Sequence, residues 1–206
     1  MANLTFYTNP MSRGRIGRWM LEEVGVPYET VVLSYDEAGM KGADYLAINP
    51  MGKVPAIVHD GRTVTECAAI CAYLAETFPE ADLAPRAEER ADYYRWLFFA
   101  AGPVEQAVTA KAMDKLATAE QGRMAGYGSY DQMVDVLEQA VSAHEYIAGD
   151  RFTAADVYVG SQVLWGTQFG TLPKRDALAT YAARLSERPA YRRASEIDDA
   201  LIAQAG

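Results

Sequence analysis

Residues 5–25 read "TFYTNPMSRGRIGRWMLEEVG", a strand pattern that passes into a helix pattern through the turn Asn9-Pro10-Met11-Ser12. Bulky and polar side chains alternate over residues 3–8, which is the two-residue period of a strand. After the turn, apolar residues recur at helical spacing until Gly25 stops the pattern: Ile16, Trp19, Met20 and Val24. The stretch therefore predicts a strand followed directly by a helix.

The segments that follow extend this unit into a small domain. Their patterns predict a strand over 27–33, a short helix over 43–49, a hairpin over 55–65 and a helix over 66–78. This order predicts a small sheet with helices on both faces, its first two strands joined by a right-handed crossover. We therefore predict an α/β domain over residues 1–78.

An all-helical domain is predicted over residues 87–206, after a linker over 79–86. The prolines of the linker flank acidic and small residues that show no periodicity. Beyond the linker, apolar stripes mark several helices, and Gly102-Pro103 is expected to kink the first of them. Thr153-Ala-Ala-Asp156 places a hydroxyl residue three positions before an acid, the spacing of a capping box, and so predicts a helix start.

Composition excludes several classes of function. The formal net charge is −9 at pH 7 without a strong basic run, which argues against a nucleic-acid partner. No signal segment and no apolar window of about 18 residues is present, so we expect a cytoplasmic protein without a membrane partner. Cys67 and Cys71 are interpreted as buried small hydrophobes rather than a disulfide. We expect no metal, because no cluster of metal ligands occurs.

Two strand-to-helix turns are candidate anion sites. Ser12 in the first turn and Thr65-Glu66-Cys67 in the second lie where free backbone amides collect at a helix start. Both turns are also compatible with ordinary helix caps. Between them, Pro55 begins a strand without an N–H group, so the backbone of Val54 is free to pair with an extended ligand. Together the two helix starts suggest a small ligand with two anionic groups.

Three motifs in order, "NPMGKVPAI", "TECAAICAYL" and "FTAADVYV", resemble those of cytosolic glutathione transferases over nearly the whole chain. The resemblance implies a thioredoxin-like domain with an all-α domain, glutathione as co-substrate, a homodimer and a role in detoxification. It implies that Pro55 is cis and that Val54 pairs with the cysteinyl unit of glutathione. Glu66 would hold the γ-glutamyl group, Cys67 replaces the usual serine beside it, and Lys53 would reach the glycyl carboxylate.

The resemblance leaves three candidates for contact with the glutathione sulfur. Ser12 lies in the strand-to-helix turn, one place later than an ungapped match to the serine classes. Tyr7 matches the tyrosine classes without a gap, and Arg13 falls close to the cysteine of the cysteine classes. Our hypothesis is that Ser12 donates a hydrogen bond to the sulfur, that Arg13 strengthens the positive field, and that Tyr7 is the alternative donor.

The second substrate is expected to be a small hydrophobic electrophile in a cleft against the helical domain. The candidate residues for this pocket are Met11, Phe99, Trp165 and Phe169. Two alternative functions stay open from the sequence. One is glutathione-dependent reduction of disulfides or peroxides, and the other is a glutathione-binding scaffold without turnover.

Overall fold

A computed structural model describes residues 3–205 of the chain. Within that range the chain forms a four-stranded sheet and nine α-helices. The strands are β1 (Leu4–Thr8), β2 (Glu29–Val32), β3 (Ala56–His59) and β4 (Arg62–Thr65). The helices are α1 (Gly14–Val24), α2 (Ala43–Ile48), α3 (Cys67–Thr77), α4 (Arg90–Phe99), α5 (Glu105–Ala112), α6 (Tyr130–Ala143), α7 (Ala154–Phe169), α8 (Asp176–Ser186) and α9 (Pro189–Ala205). The predicted order of elements is confirmed.

The sheet has the strand order β2-β1-β3-β4. β1 pairs in parallel with β2 and antiparallel with β3, and β3 and β4 form an antiparallel hairpin. Phe6 faces α1, where its ring lies 2.9 Å from the point that a Cβ on Gly17 would occupy. Tyr7 faces the other way, and its ring centroid lies 5.6 Å from that of Tyr45 in α2. Helices therefore cover both faces of the sheet, as predicted.

The described chain separates into two compact units. The first comprises the residues up to Asp82 together with those from Arg188 onward, and the second is Leu83–Glu187. The sequence boundaries, with a linker over 79–86 and a helical domain over 87–206, stay a prediction. The observed units differ from the predicted domains in the placement of α9, which packs along α1 in the first unit.

Ion pairs join α1 to the C-terminal segment that contains α9, and the two segments run in opposite directions. Arg18 Nε lies 2.8 Å from Asp198 Oδ1, and both side chains are almost completely buried. Burial raises the pKa of Asp198, and the adjacent Arg18 opposes that shift. Three more exposed pairs lie on either side of it: Arg15 with Asp199, Glu22 with Arg193, and Glu23 with Arg188. Because the partners are far apart in sequence, these contacts are set by tertiary packing.

In the second unit, Pro103 shapes the connection between α4 and α5, and Asp156 caps the start of α7. Residues Ala100–Val104, between α4 and α5, form a π-helical turn around Pro103, which cannot donate the normal helical hydrogen bond. The predicted kink at Gly102-Pro103 thus takes the form of a wide turn. At the start of α7, Thr153 and Asp156 form the capping box that the sequence predicts. No helix within 3–205 is long and apolar enough to cross a membrane.

Candidate active site

The turn between β1 and α1 is held by the side chains of Asn9 and Ser12. Ser12 Oγ accepts a hydrogen bond from the Gly14 N–H at 2.9 Å and donates one to the Asn9 carbonyl at 2.7 Å. The buried Asn9 side chain accepts from the Met11 N–H and donates to the Leu33 carbonyl. A hydroxyl group is thereby fixed at the N-terminus of an 11-residue helix, where the helix dipole favours an anion.

A second Asn-Pro-Met sequence repeats this geometry before β3. Asn49 Oδ1 accepts from the Met51 N–H at 3.1 Å, and the Asn49 carbonyl accepts from the Gly52 N–H at 2.8 Å. Met11 and Met51 follow the two prolines, and each is 69% exposed. The two turns thus share one local feature, a buried asparagine whose side chain accepts a hydrogen bond from the backbone N–H two residues later.

The Lys53 carbonyl anchors the loop that leads into β3. It accepts hydrogen bonds from the Asn49 side-chain amide at 2.8 Å and from the Tyr45 hydroxyl at 2.6 Å. Burial raises the pKa of Tyr45 to about 12, so its hydroxyl keeps the proton that it donates. The bond from Val54 to Pro55 is cis, as the resemblance implies. Within residues 3–205, the backbone N–H and C=O of Val54 have no hydrogen-bond partner.

Two lysine side chains lie at this loop. Lys53 is exposed, and its ammonium group makes no hydrogen bond or ion pair with any other residue in the described chain. Lys41 reaches the same loop from the segment between β2 and α2, and its Nζ lies 2.9 Å from the Gly52 carbonyl. Neither Lys41 nor the anchoring role of Asn49 was predicted from the sequence. The repeated Asn-Pro-Met motif was the available signal for Asn49, whereas nothing local indicated Lys41.

The turn between β4 and α3 contains Glu66 and Cys67, and Cys67 contacts the turn between β1 and α1. Glu66 is exposed and has a φ of 65°, a left-handed conformation that is uncommon for a residue other than glycine. The buried Cys67 thiol donates to the Arg13 carbonyl at 3.3 Å. Cys67 therefore links the two helix starts. Burial raises the pKa of Cys71 to about 12, which makes that thiol unreactive.

The three candidates for sulfur contact occupy different environments. Ser12 and Arg13 lie together in the turn, and Arg13 is exposed. Tyr7 instead packs into the cluster on the α2 side of the sheet, with Tyr45 and Ala56. Ser12 is the candidate whose hydroxyl is fixed directly at the start of α1. The assignment of the sulfur contact to Ser12 stays a prediction.

The residues predicted for the electrophile pocket lie in both units. Met11 is exposed in the first unit, and in the second Phe99 and Trp165 are half-buried while Phe169 is 71% exposed. The second unit also contains an open, mainly apolar groove of about 620 Å³, which was not predicted from the sequence. Its lining includes residues of the π-helical turn and α5: Gly102, Pro103, Gln106, Thr109 and Ala110. Gly102 and Pro103, in the π-helical turn, were the sequence feature that pointed to this region.

Comparison with known proteins identifies the family. A family model described as the glutathione S-transferase N-terminal domain matches residues 12–77. A glutathione S-transferase of Xanthomonas campestris pv. campestris is 30% identical over 176 residues, which cover 81% of this chain and 84% of that protein. The chain belongs to the glutathione S-transferase family. Glutathione S-transferase GstA of Escherichia coli O157:H7 is 29% identical over 79% of each chain.

Solved glutathione S-transferases share the fold. A glutathione transferase from Methylococcus capsulatus str. Bath has a TM-score of 0.78 at 26% identity, covering 95% of this chain and 98% of its own. A sphingomonad glutathione S-transferase complexed with glutathione has a TM-score of 0.77 at 26% identity, with the same coverage. The predicted family and fold class, a thioredoxin-like domain with an all-α part, are confirmed. This glutathione S-transferase is therefore an enzyme that binds glutathione and transfers it.

Residues 3–205 contain no group of three or more His, Cys, Asp or Glu side chains that could hold a metal ion.

Proposed function

We propose that this glutathione S-transferase holds the glutathione sulfur as a thiolate against Ser12 and conjugates it to a hydrophobic electrophile. The observation that carries the proposal is the fixed position of Ser12 Oγ, which accepts from the Gly14 N–H at the start of α1. The Ser12 hydroxyl donates its proton in a hydrogen bond to the Asn9 carbonyl. Rotation of the hydroxyl transfers this hydrogen bond to a bound sulfur without moving the oxygen.

The reaction divides into ionisation and attack. The glutathione thiol loses its proton to solvent, and the resulting thiolate uses a sulfur lone pair to form a C–S bond with the electrophile. In a substitution the leaving group departs with its bonding electrons, and in an addition the electrophile takes a proton from water. The protein supplies a hydrogen-bond donor and a positive helix end, both of which favour the charged sulfur.

These groups provide enough free energy to ionise the thiol near neutral pH. Lowering the thiol pKa from about 8.5 by about two units requires about 2.7 kcal/mol. A hydrogen bond to a charged group contributes about 1.5–3 kcal/mol, and a helix terminus adds about 0.3–1 kcal/mol. The charge of Arg13, next to Ser12, adds to the positive field. One hydroxyl at the helix end is therefore sufficient.

The remaining contacts to glutathione are assigned to backbone groups and charged side chains of the loop before β3 and of the turn before α3. Val54 pairs its free N–H and C=O with the cysteinyl unit, next to Pro55. Glu66 receives the α-amino group of the γ-glutamyl unit, and the first amides of α3, at Cys67, receive its carboxylate. Lys53, whose ammonium group has no partner in the described chain, pairs with the glycyl carboxylate.

The hydrophobic electrophile is proposed to contact Met11, Phe99, Trp165 and Phe169, which present apolar surface. The proposal includes a cytoplasmic homodimer that acts in detoxification, as the resemblance implies. Light scattering tests the dimer. Activity with a chlorodinitrobenzene tests conjugation, whereas consumption of glutathione with hydroxyethyl disulfide but little conjugation would identify a reductase instead.

Ser12→Ala is expected to lower kcat/KM for conjugation by about 10- to 100-fold and to raise the pKa of the bound thiol by about one to two units. The variant loses the donor to the sulfur, and stability falls by about 1 kcal/mol because the Gly14 N–H loses its acceptor. The pH dependence of kcat/KM measures the thiol pKa, and Tyr7→Phe is the matched control. An unchanged pH profile in Ser12→Ala, together with a shifted profile in Tyr7→Phe, would transfer the role to Tyr7.

Lys53→Ala is expected to raise KM for glutathione about fivefold and to leave kcat within about twofold of the original value. The reason is that an exposed ion pair contributes up to about 1 kcal/mol to ligand binding and does not touch the sulfur. Steady-state kinetics at varied glutathione concentration measure both constants. Lys174→Ala, which alters an exposed lysine of the second unit, is the control. A fall in kcat without a change in KM would remove Lys53 from the glutathione site.

A further inference from the structure

Thr8, the last residue of β1, carries a buried hydroxyl without a partner. Its side chain is fully buried, and within residues 3–205 its Oγ1 makes no hydrogen bond. Buried hydroxyl groups in proteins are nearly always paired, because an unpaired one loses its hydrogen bonds to water without replacement. A threonine that keeps such a hydroxyl at the end of the strand leading to Ser12 requires an explanation.

The Thr8 hydroxyl is aimed at the first turn of α1. The point that a Cβ on Gly14 would occupy lies 2.0 Å from Thr8 Oγ1, 3.0 Å from Ser12 Oγ and 3.1 Å from the Asn9 carbonyl oxygen. Three oxygen atoms thus lie close to the position that a Gly14 Cβ would occupy. The oxygens of Thr8 and Ser12 are separated by no more than the sum of their two distances from that point. A hydrogen bond between them requires the Thr8 side chain to turn toward Ser12.

Ser12 has an acceptor position open for this hydroxyl. A serine oxygen has two lone pairs, and Ser12 Oγ accepts one hydrogen bond, from the Gly14 N–H. When Ser12 turns its own proton from the Asn9 carbonyl to an anionic sulfur, its oxygen becomes more negative and a stronger acceptor. A second donor to that oxygen then strengthens the bond from Ser12 to the sulfur.

We propose that Thr8 is a positioning residue for Ser12, to which it donates a hydrogen bond when the glutathione sulfur is bound. The inference rests on the proposed function of Ser12 as the donor to the sulfur. Both hydroxyls keep their protons, and the chain of hydrogen bonds runs from Thr8 to Ser12 to the sulfur. Thr8 itself does not touch the substrate. The Thr8 hydroxyl has no partner within the described chain, and a thiolate held by Ser12 would give it a role.

This role has opposite consequences for stability and for activity. Thr8→Val removes a hydroxyl that has no partner in the described chain and keeps a branched side chain of similar shape, so the melting temperature should not fall. The same substitution removes the donor to Ser12, so the bound thiol becomes less acidic. A purely structural threonine would lower stability and activity together.

The experiment compares Thr8→Val, Thr8→Ser and Ser12→Ala in the full chain. The readouts are the melting temperature and the pH dependence of kcat/KM with glutathione and a chlorodinitrobenzene. We expect Thr8→Val to keep the melting temperature, to raise the apparent thiol pKa by up to about one unit and to lower kcat/KM about three- to tenfold. Thr8→Ser retains the hydroxyl and is expected to keep the original pH profile.

A Thr8→Val variant with the original pH profile overturns the proposal. If Thr8→Val does not fold, Thr8→Ala replaces it, and equal pH profiles for Thr8→Ala and Thr8→Ser overturn the proposal in the same way. The failure of the proposed function is a separate result, because an unchanged profile in Ser12→Ala removes Ser12 itself. A shifted Ser12→Ala profile with an unshifted Thr8→Val profile removes Thr8 alone.

Discussion

Gly14→Ala is expected to reduce conjugation by at least about 100-fold and to lower the free energy of unfolding by about 1–3 kcal/mol. The added Cβ would lie 2.0 Å from Thr8 Oγ1, closer than non-bonded atoms approach. The Thr8 side chain is fully buried, so it has little room to turn away from the added Cβ. The first turn of α1 must therefore move away from β1, and Ser12 moves with it. Steady-state kinetics and thermal unfolding measure the two effects.

Two further variants test the cause of this loss. Gly102→Ala adds a Cβ in open space and should leave the unfolding free energy within about 0.5 kcal/mol of the original. The double variant Thr8→Ala with Gly14→Ala removes the clashing atoms, so it should recover part of the stability that Gly14→Ala loses. Additive losses in the double variant would show that the contact with Thr8 is not the reason.

Asp156→Asn is expected to lower the free energy of unfolding by about 3–5 kcal/mol, the range for removing one partner from a buried charged network. One carboxylate oxygen accepts from the Ile147 N–H and the Tyr181 hydroxyl, and the other accepts from the N–H and hydroxyl of Thr153. Burial raises the pKa of Asp156 to about 6 against the opposing effect of these donors, so the group is ionised at neutral pH. Asparagine keeps one acceptor oxygen but replaces the other with an NH₂ group, which cannot accept from the two donors that face it.

Thermal unfolding measures this effect, which corresponds to a fall of about 6–20 °C in melting temperature for a chain of this length. Asp150→Asn is the matched control, because that carboxylate is almost fully exposed and its Oδ1 lies 3.9 Å from His144 Nδ1. It should change stability by less than about 0.5 kcal/mol. Equal melting temperatures for Asp156→Asn and the original protein would contradict the structural role of the network.

Features with a local cause could be predicted from the sequence. The two-residue and 3.6-residue periods indicated β1 and α1, the dipeptide Asp60-Gly61 indicated the hairpin, and Thr153 with Asp156 indicated the start of α7. Each of these signals lies within a few residues of its structural effect. The same holds for the Ser12 turn, in which Asn9 hydrogen-bonds to the backbone two residues later.

The candidate site was only partly predictable from the sequence, because some of its contacts join residues that are far apart in the chain. Pro55 indicated the free backbone of Val54, and the resemblance to glutathione transferases implied the role of Lys53. It could not indicate that Lys41 reaches the Gly52 carbonyl, or that the Cys67 thiol donates to Arg13. Those contacts join segments whose separation is fixed only when the sheet forms.

The sequence by itself determined the order of the elements and the identity of the turns, because hydrogen bonds within a turn and the period of a helix are local properties. The tertiary structure alone decided where α9 packs, since Arg18 and Asp198 are 180 residues apart. It also decided that the hydroxyl of Thr8 is buried beside Gly14 and has no partner among residues 3–205. Burial and pairing depend on what a neighbouring element places against a side chain, and local sequence carries no record of that neighbour.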